Sequence, residues 1–171
     1  RLSDLLLPQN DVQAIKYFTA MVKPRPDDPQ QPIRQQTYLR ALKTIPRCTV
    51  IFGHFLAHRV KMPLANPTAK VKYAKVIKTE EKGSDVNLAT HLLCDGFKDL
   101  YDVAVIVSND SDLAEPVRIV AHDLGKTIGI LNPHKHPSHV LSKHARFQKQ
   151  IRKGVLNASQ FPVQLSDAHG V

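Results

Sequence analysis

Three aspartates follow two different apolar segments of the sequence. Asp85 lies in the first turn of a predicted helix, and Asp110 and Asp112 come directly after the apolar run Val103–Val107. Loops at the carboxyl ends of the strands form the functional crevice of an open α/β sheet, so we expect the three carboxylates to meet at one edge. Like charges a few ångströms apart repel, and a bound cation relieves the repulsion. Oxygen ligands without a cysteine or histidine set favour Mg²⁺ or Mn²⁺, which can activate water and neutralise charge on a phosphate under attack.

Each aspartate also has a purely structural interpretation. Asp85 follows Ser84, a predicted N-cap, and an acidic side chain is favourable at the positive end of a helix. Asp110 is typical of a turn, and Asp112 with Glu115 three residues later is typical of a helix cap. The spacing alone does not decide between capping and metal binding.

The apolar periodicity predicts strands that alternate with helices. The predicted strands span residues 12–22, 48–56, 103–107 and 127–131. The predicted helices span residues 30–44, 84–97, 115–124 and 139–144. The buried face of the first of these helices is predicted to hold Ile33, Thr37, Ala41, Leu42 and Ile45. This alternation indicates βαβ units, and therefore an α/β fold with a mostly parallel central sheet.

The chain of 171 residues has the length of a single domain, and we assign residues 1–171 to one. It includes a basic insertion at residues 59–82 and a basic, histidine-rich C-terminal extension at residues 132–171. The cations of the insertion are Arg59, Lys61, Lys70, Lys72, Lys75, Lys78 and Lys82, and only Glu80 and Glu81 offset them. The second half of the insertion favours an extended arm or hairpin.

The chain carries a formal net charge of +9 and has a pI near 9.7. A polyanionic partner explains such a charge, and so does solubility alone. The basic insertion has the same two interpretations. It lines a groove for single-stranded RNA with Tyr73 as a stacking platform, or it is a solvated hairpin whose lysines discourage edge pairing.

No apolar stretch approaches the ~20 residues that span a bilayer, and no basic-then-apolar leader is visible at the start of the sequence, so we expect a cytoplasmic protein without a membrane partner. Cys48 and Cys94 lack zinc-ligand spacing and are predicted to be reduced, buried thiols. The histidines between Pro133 and His139 indicate a surface loop rather than a metal site. The sequence leaves open whether the chain forms a homodimer.

Two segments resemble the NYN domain family, the bacterial branch of the PIN-like nucleases. Residues 81–86 (EKGSDV) follow the family pattern EKG-x-D-V, and residues 105–113 (VIVSNDSDL) match a hydrophobic strand that ends in S-x-D-S-D. Two such motifs in this order are more specific than either alone. The resemblance covers about residues 12–162. It implies a Rossmann-like, PIN-like three-layer sandwich whose acidic cluster binds Mg²⁺ or Mn²⁺ and hydrolyses RNA phosphodiester bonds.

The resemblance also implies roles for individual residues. Asp85 and Asp110 are expected to hold the ion directly, and Asp112 to bind it through water or to position the attacking water. Lys82 matches the motif lysine and is expected to contact a phosphate. The candidate nucleic-acid-binding residues are Lys72, Lys75, Lys78, Lys82, Ser108 and Asn109.

One feature of the family pattern is missing from the sequence. The family normally opens with a strand that ends in a D-G-x-N-type motif and supplies another metal ligand, and no such segment occurs here. Because the chain begins with Arg1 rather than Met, we expect that its natural start has been trimmed. The alternative is an incomplete site, which predicts a catalytically inactive module that binds RNA or a protein partner.

Overall fold

The computed structural model describes residues 1–167, in which strands and helices alternate. The strands are β1 (Ile15–Ala20), β2 (Cys48–Pro63), β3 (Tyr73–Lys82), β4 (Val103–Val107), β5 (Thr127–Asn132) and β6 (Phe147–Gln150). The α-helices are α1 (Leu2–Leu6), α2 (Gln31–Lys43), α3 (Ser84–Phe97), α4 (Ala114–Arg118), α5 (His139–Ser142) and α6 (Lys153–Ala158). A 3₁₀ turn (Ser111–Leu113) leads into α4, and a π-helical turn (Ile119–Asp123) continues it.

The strands form two three-stranded sheets, ordered β1-β2-β3 and β4-β5-β6. All neighbouring strands are parallel except β2 and β3, which confirms the predicted α/β fold with mostly parallel strands. Among the described residues, β1 lies at the edge of one sheet and β4 at the edge of the other. Helix α3 joins the two halves: it packs on β1 and β2, and its Leu88 and Leu92 belong to the core of the second sheet.

The main core surrounds the second sheet. Ile106 of β4 and Ile130 of β5 face α3 and the helical segment that follows the 3₁₀ turn, where Val117 is fully buried. On the opposite face, Leu131 packs with Ile151 and with the end of α1. Coverage on both faces explains why β4 and β5 are almost entirely apolar.

Helix α2 buries only part of the face that its periodicity predicts. Ile33 and Thr37 are exposed, whereas Leu39 and Leu42 are buried. The side chain of Gln35 hydrogen-bonds to the backbone at the end of β1 and just beyond it. Docking on the end of β1, rather than a pronounced apolar stripe, therefore sets the rotation of this helix.

The basic insertion forms a long antiparallel hairpin. The sequence predicts that β2 ends near residue 56. In the structure it continues to Pro63 and pairs with β3 from His54↔Lys82 to Pro63↔Tyr73. The predicted hairpin is thus confirmed, and it begins earlier than expected. We refer to residues 54–82 as the arm.

The C-terminal segment contributes to the second sheet. Strand β6, which the sequence analysis did not predict, pairs in parallel with β5. The ring of Phe147 occupies the space above Gly129, where an added Cβ atom would lie 2.1 Å from the ring. The predicted helix near residues 139–144 is present as α5. The last residues of the predicted extension, 168–171, lie outside the described residues.

Among residues 1–167, no helix has the length and apolar character needed to cross a membrane. The prediction of two buried thiols is wrong: Cys48 is half-buried and Cys94 is exposed. Helix α3 buries Leu92 and thereby turns Cys94 toward solvent.

The two cysteines should therefore react at different rates. Partial burial raises the pKa of the Cys48 thiol, which lowers its thiolate fraction at neutral pH. We expect a disulfide reagent to label Cys94 about tenfold faster than Cys48. The rates can be separated with the single variants Cys48→Ser and Cys94→Ser, and equal rates would contradict the exposed position of Cys94.

Candidate functional site

Two glycines shape the turn that places Asp85. Gly83 has φ +92°, a conformation that residues with a side chain rarely adopt, and it precedes the first residue of α3. Gly53 of β2 passes so close that an added Cβ atom would lie 2.4 Å from the Lys82 carbonyl oxygen. The N-cap of α3 is Gly83 rather than Ser84, whose hydroxyl donates a hydrogen bond to Glu81. Asp85 thus lies in a first turn held against β2.

The second acidic segment follows the end of β4. The backbone N–H of Asp110 donates to Ser108 Oγ at 3.0 Å, and the backbone N–H of Asp112 donates to Asp110 Oδ1 at 2.9 Å. Asp110 therefore caps the 3₁₀ turn, as its structural interpretation predicts. This cap uses the Oδ1 atom of the carboxylate.

The carboxylates of the two segments influence each other. Partial removal of Asp85 from water raises the pKa of its carboxyl group, and the negative charges of Asp110, Glu81 and Asp112 raise it further. The structure thus brings the three predicted aspartates into one electrostatic neighbourhood. It adds Glu81, which the sequence analysis counted only as an acid of the insertion although it opens the EKG motif. We call Glu81, Asp85, Asp110 and Asp112 the acidic cluster.

The donor chemistry of the acidic cluster suits a hard divalent cation, because every potential ligand is a carboxylate oxygen. Within residues 1–167, however, no three side chains of His, Cys, Asp or Glu lie close enough together to form a metal-binding group. The chemistry of the cluster therefore fits Mg²⁺ or Mn²⁺, whereas its geometry is not that of a preformed set of three ligands.

Replacing Asp85 by Asn should raise thermal stability at neutral pH. A raised pKa in the folded state means that ionisation of Asp85 destabilises the fold. The stability that the neutral Asp85 carboxyl group contributes is fully present below its usual pKa of 3.8 and is lost as the pH rises through the raised pKa. We expect the Tm of Asp85→Asn to exceed that of the wild type by about 1–2 °C at neutral pH. The difference should vanish below pH 3.8, and a lower Tm at neutral pH would contradict the repulsion.

The arm divides the lysines that were predicted to bind nucleic acid. Lys78 and Lys82 both contact Glu80, with Nζ–O distances of 2.6 and 3.5 Å. Lys75 lies on the opposite face of the hairpin, because side chains alternate along a strand. Lys72 precedes β3 and is exposed. The structure thus does not bring these lysines together as one patch.

Asn109 connects the acidic segment to the loop that follows β5. Its Nδ2 atom donates to the carbonyl oxygen of His136 at 3.1 Å, and its Oδ1 atom accepts from the N–H of Ser138 at 2.7 Å. The exposed loop with His134, Lys135 and His136 therefore lies beside the acidic segment, a proximity that the sequence analysis did not predict. Roles of Ser108 and Asn109 in nucleic-acid binding stay predictions.

Comparison with known proteins identifies a family, a similar sequence and a similar fold. The model of the NYN domain family matches residues 9–167. The chain is 30% identical over 164 residues to 6-hydroxy-3-succinoylpyridine 3-monooxygenase HspA from Pseudomonas putida (strain DSM 28022 / S16), an alignment that covers 87% of this chain and 52% of that protein. The chain thus spans about half the length of this relative.

A solved structure supports the fold. The crystal structure of a protein of unknown function from Vibrio parahaemolyticus matches with a TM-score of 0.57 at 15% sequence identity, over 89% of this chain and 78% of that chain. This likeness concerns the fold alone. The family match, in contrast, spans nearly all of the described residues and includes both acidic motifs. The chain therefore belongs to the NYN domain family.

Proposed function

We propose that this chain is a divalent-metal-dependent ribonuclease that hydrolyses phosphodiester bonds of single-stranded RNA at the acidic cluster. Membership of the NYN domain family indicates a nuclease-like, RNA-related function. The observation that carries the proposal is the placement of Asp85, in the first turn of α3, close enough to Asp110 and Asp112 after β4 for their charges to act on it. Isolated helix caps have no need for this convergence.

The proposal gives the residues the roles that the family resemblance implies. Asp85 and Asp110 would hold Mg²⁺ or Mn²⁺, and Asp112, two residues further along the same turn, would position the attacking water. The ion, when bound, supplies an activated water molecule and neutralises charge on the phosphate. Ser108 and the cap formed by Asp110 keep the turn in place. The positive charge of the chain favours its encounter with RNA.

Cleavage of a single-stranded RNA by the purified chain tests this proposal. We expect cleavage with Mg²⁺ or Mn²⁺, its loss on addition of EDTA, and its recovery when the divalent ion is added back in excess. Cleavage that persists in EDTA would contradict metal dependence. RNA binding that is sensitive to salt but indifferent to EDTA, without cleavage, would instead identify the catalytically inactive RNA-binding module.

The similarity to a monooxygenase supports a second candidate function, oxygenation of a hydroxylated pyridine. The chain spans about half of that relative, so the activity of the whole relative does not transfer directly. The test is incubation with 6-hydroxy-3-succinoylpyridine, O₂ and a reduced nicotinamide cofactor. Consumption of this pyridine that depends on both O₂ and the reduced cofactor, together with failure to cleave RNA, would replace the ribonuclease assignment.

A further inference from the structure

The arm has two faces of different character. The pairing of β2 with β3 sets which side chains share a face, because directly opposed residues of an antiparallel pair point to the same side. We define the front face by Phe55, Ala57, Arg59, Lys61 and Pro63 of β2 and by Tyr73, Lys75, Ile77, Thr79 and Glu81 of β3. The back face consists of the intervening residues, which include His58, Lys78, Glu80 and Lys82.

The cations of the two faces differ in how they are neutralised. On the back face, Lys78 and Lys82 share the carboxylate of Glu80. On the front face, Arg59, Lys61 and Lys75 have no acidic partner among residues 1–167. The positive charge of the arm is therefore concentrated on its front face.

One pair on the front face is unfavourable for the hairpin itself. Lys61 of β2 lies directly opposite Lys75 of β3, and like charges in this position destabilise an antiparallel pair. A glutamate at either position would turn the repulsion into attraction. An anion bound between the two lysines would relieve the same repulsion.

An exposed aromatic ring adjoins this pair. Tyr73 is 53% exposed, and the Lys61 ammonium lies 4.8 Å from the centroid of its ring. Uncompensated cations beside an exposed aromatic ring form the combination that binds single-stranded nucleic acid, since phosphates pair with the cations and a base stacks on the ring.

The front face also leads to the acidic cluster. Glu81 stands on this face and accepts the hydrogen bond of Ser84, which directly precedes Asp85 in the first turn of α3. Six residues of extended strand separate Glu81 from Lys75, a distance of about 20 Å. An extended strand of nucleic acid that stacks on Tyr73 can therefore follow the face toward the carboxylates.

We propose that the front face of the arm, through Arg59, Lys61, Tyr73 and Lys75, binds single-stranded RNA and delivers it to the acidic cluster. The delivery step rests on the proposed ribonuclease function, whereas the binding step does not. In this proposal Lys78 and Lys82 of the back face, which the sequence analysis counted as nucleic-acid-binding candidates, contribute little, because both contact Glu80.

Binding of a fluorescent oligouridine of about 12 nucleotides, measured by anisotropy in EDTA so that no cleavage occurs, tests the assignment. Lys75→Glu should weaken binding at least about tenfold, because it removes a phosphate contact and adds a repulsive charge. Tyr73→Ala should weaken it about tenfold through loss of stacking. Lys75→Gln should lower the slope of log Kd against log salt concentration by about 0.7.

Two controls make the result specific. Lys78→Glu changes the net charge of the chain by the same amount as Lys75→Glu, but on the back face of the arm. Lys153→Glu makes the same change of charge in helix α6, outside the arm. Both should weaken binding much less than Lys75→Glu. The Tm of Lys75→Glu should rise, because the new carboxylate faces Lys61, and this readout separates lost binding from lost folding.

The outcomes distinguish this inference from the proposed function. Equal losses for Lys75→Glu and Lys78→Glu, or unchanged binding by Tyr73→Ala, would overturn the front-face assignment. If the double variant Tyr73→Ala/Lys75→Glu cleaves RNA at the wild-type rate, the arm does not deliver RNA to the acidic cluster, whereas the proposed ribonuclease function is retained. If the wild type never cleaves but binding still depends on the front face, the nuclease is wrong while the binding surface stands.

Discussion

Asp110→Asn is expected to lower the rate of RNA cleavage at least about 100-fold, a loss that corresponds to about 2.7 kcal/mol of transition-state stabilisation. The substitution removes one negative charge from the acidic cluster and weakens any divalent ion held there. It keeps the carbonyl oxygen that accepts the hydrogen bond from the N–H of Asp112, so the 3₁₀ turn should persist. Single-turnover cleavage of a labelled RNA, together with a circular dichroism spectrum, measures both effects.

A matched control is Asp11→Asn, which makes the same chemical change far from the acidic cluster. Asp11 forms a surface ion pair with Arg47 at 3.2 Å, and such pairs contribute little to stability. We expect this variant to cleave RNA at the wild-type rate. The ribonuclease assignment at this cluster is lost if Asp110→Asn and Asp11→Asn cleave equally fast.

Gly53→Ala is expected to destabilise the protein by about 1–3 kcal/mol, which lowers the Tm by about 4–10 °C. The added methyl group would lie 2.4 Å from the Lys82 carbonyl oxygen, a backbone atom that cannot rotate away. Strand β2 and the turn into α3 must then separate, and the turn carries Asp85 with it. We therefore expect RNA cleavage to fall even at temperatures where the variant is folded.

Gly154→Ala provides the comparison for this substitution. Gly154 lies in the first turn of α6, and apart from its chain neighbours and the backbone of the helix itself no described atom lies within 4 Å of the position that its Cβ would take. Alanine stabilises a helix interior relative to glycine, so the Tm should stay the same or rise slightly. Unchanged thermal unfolding of Gly53→Ala would show that the close approach of β2 to the turn does not hold in solution.

The elements that the sequence predicts best are those with strong periodicity and clear ends. The bounds of α3 and β4 agree with the prediction, because one has a regular apolar stripe and the other is an uninterrupted apolar run between polar turns. Strand β6, in contrast, is four residues long and mostly polar, so it carries no pattern by which it could be found. Its place depends on its pairing with β5, which only the folded chain reveals.

The acidic cluster, too, could be predicted from the sequence only in part. The electrostatic proximity of Asp85 to Asp110 and Asp112 was predictable, because strand ends of an α/β fold meet at one edge, whereas their gathering into a set of three metal ligands is not seen among the described residues. The membership of Glu81 in the acidic cluster was not predictable, because in the sequence it stands within a run of alternating charges. Its role depends on the face of β3 that it occupies, and that face is fixed by cross-strand register rather than by composition.

The order of the strands within the sheets could not be predicted from the sequence either. Apolar runs indicate that β1 and β4 are strands, but they do not indicate which strands become neighbours. Packing of α3 on both sheets brings the two halves together.

The open edges of β1 and β4 have a consequence for the behaviour of the chain at high concentration. Each edge presents a row of backbone N–H and C=O groups to which another extended chain can add. Strand β4 bears no charged residue, and the ammonium of Lys16 in β1 is already engaged with Asp95. Neither edge therefore carries a free charge that would discourage pairing with another chain. We expect concentrated samples to self-associate mainly by intermolecular strand addition at these edges.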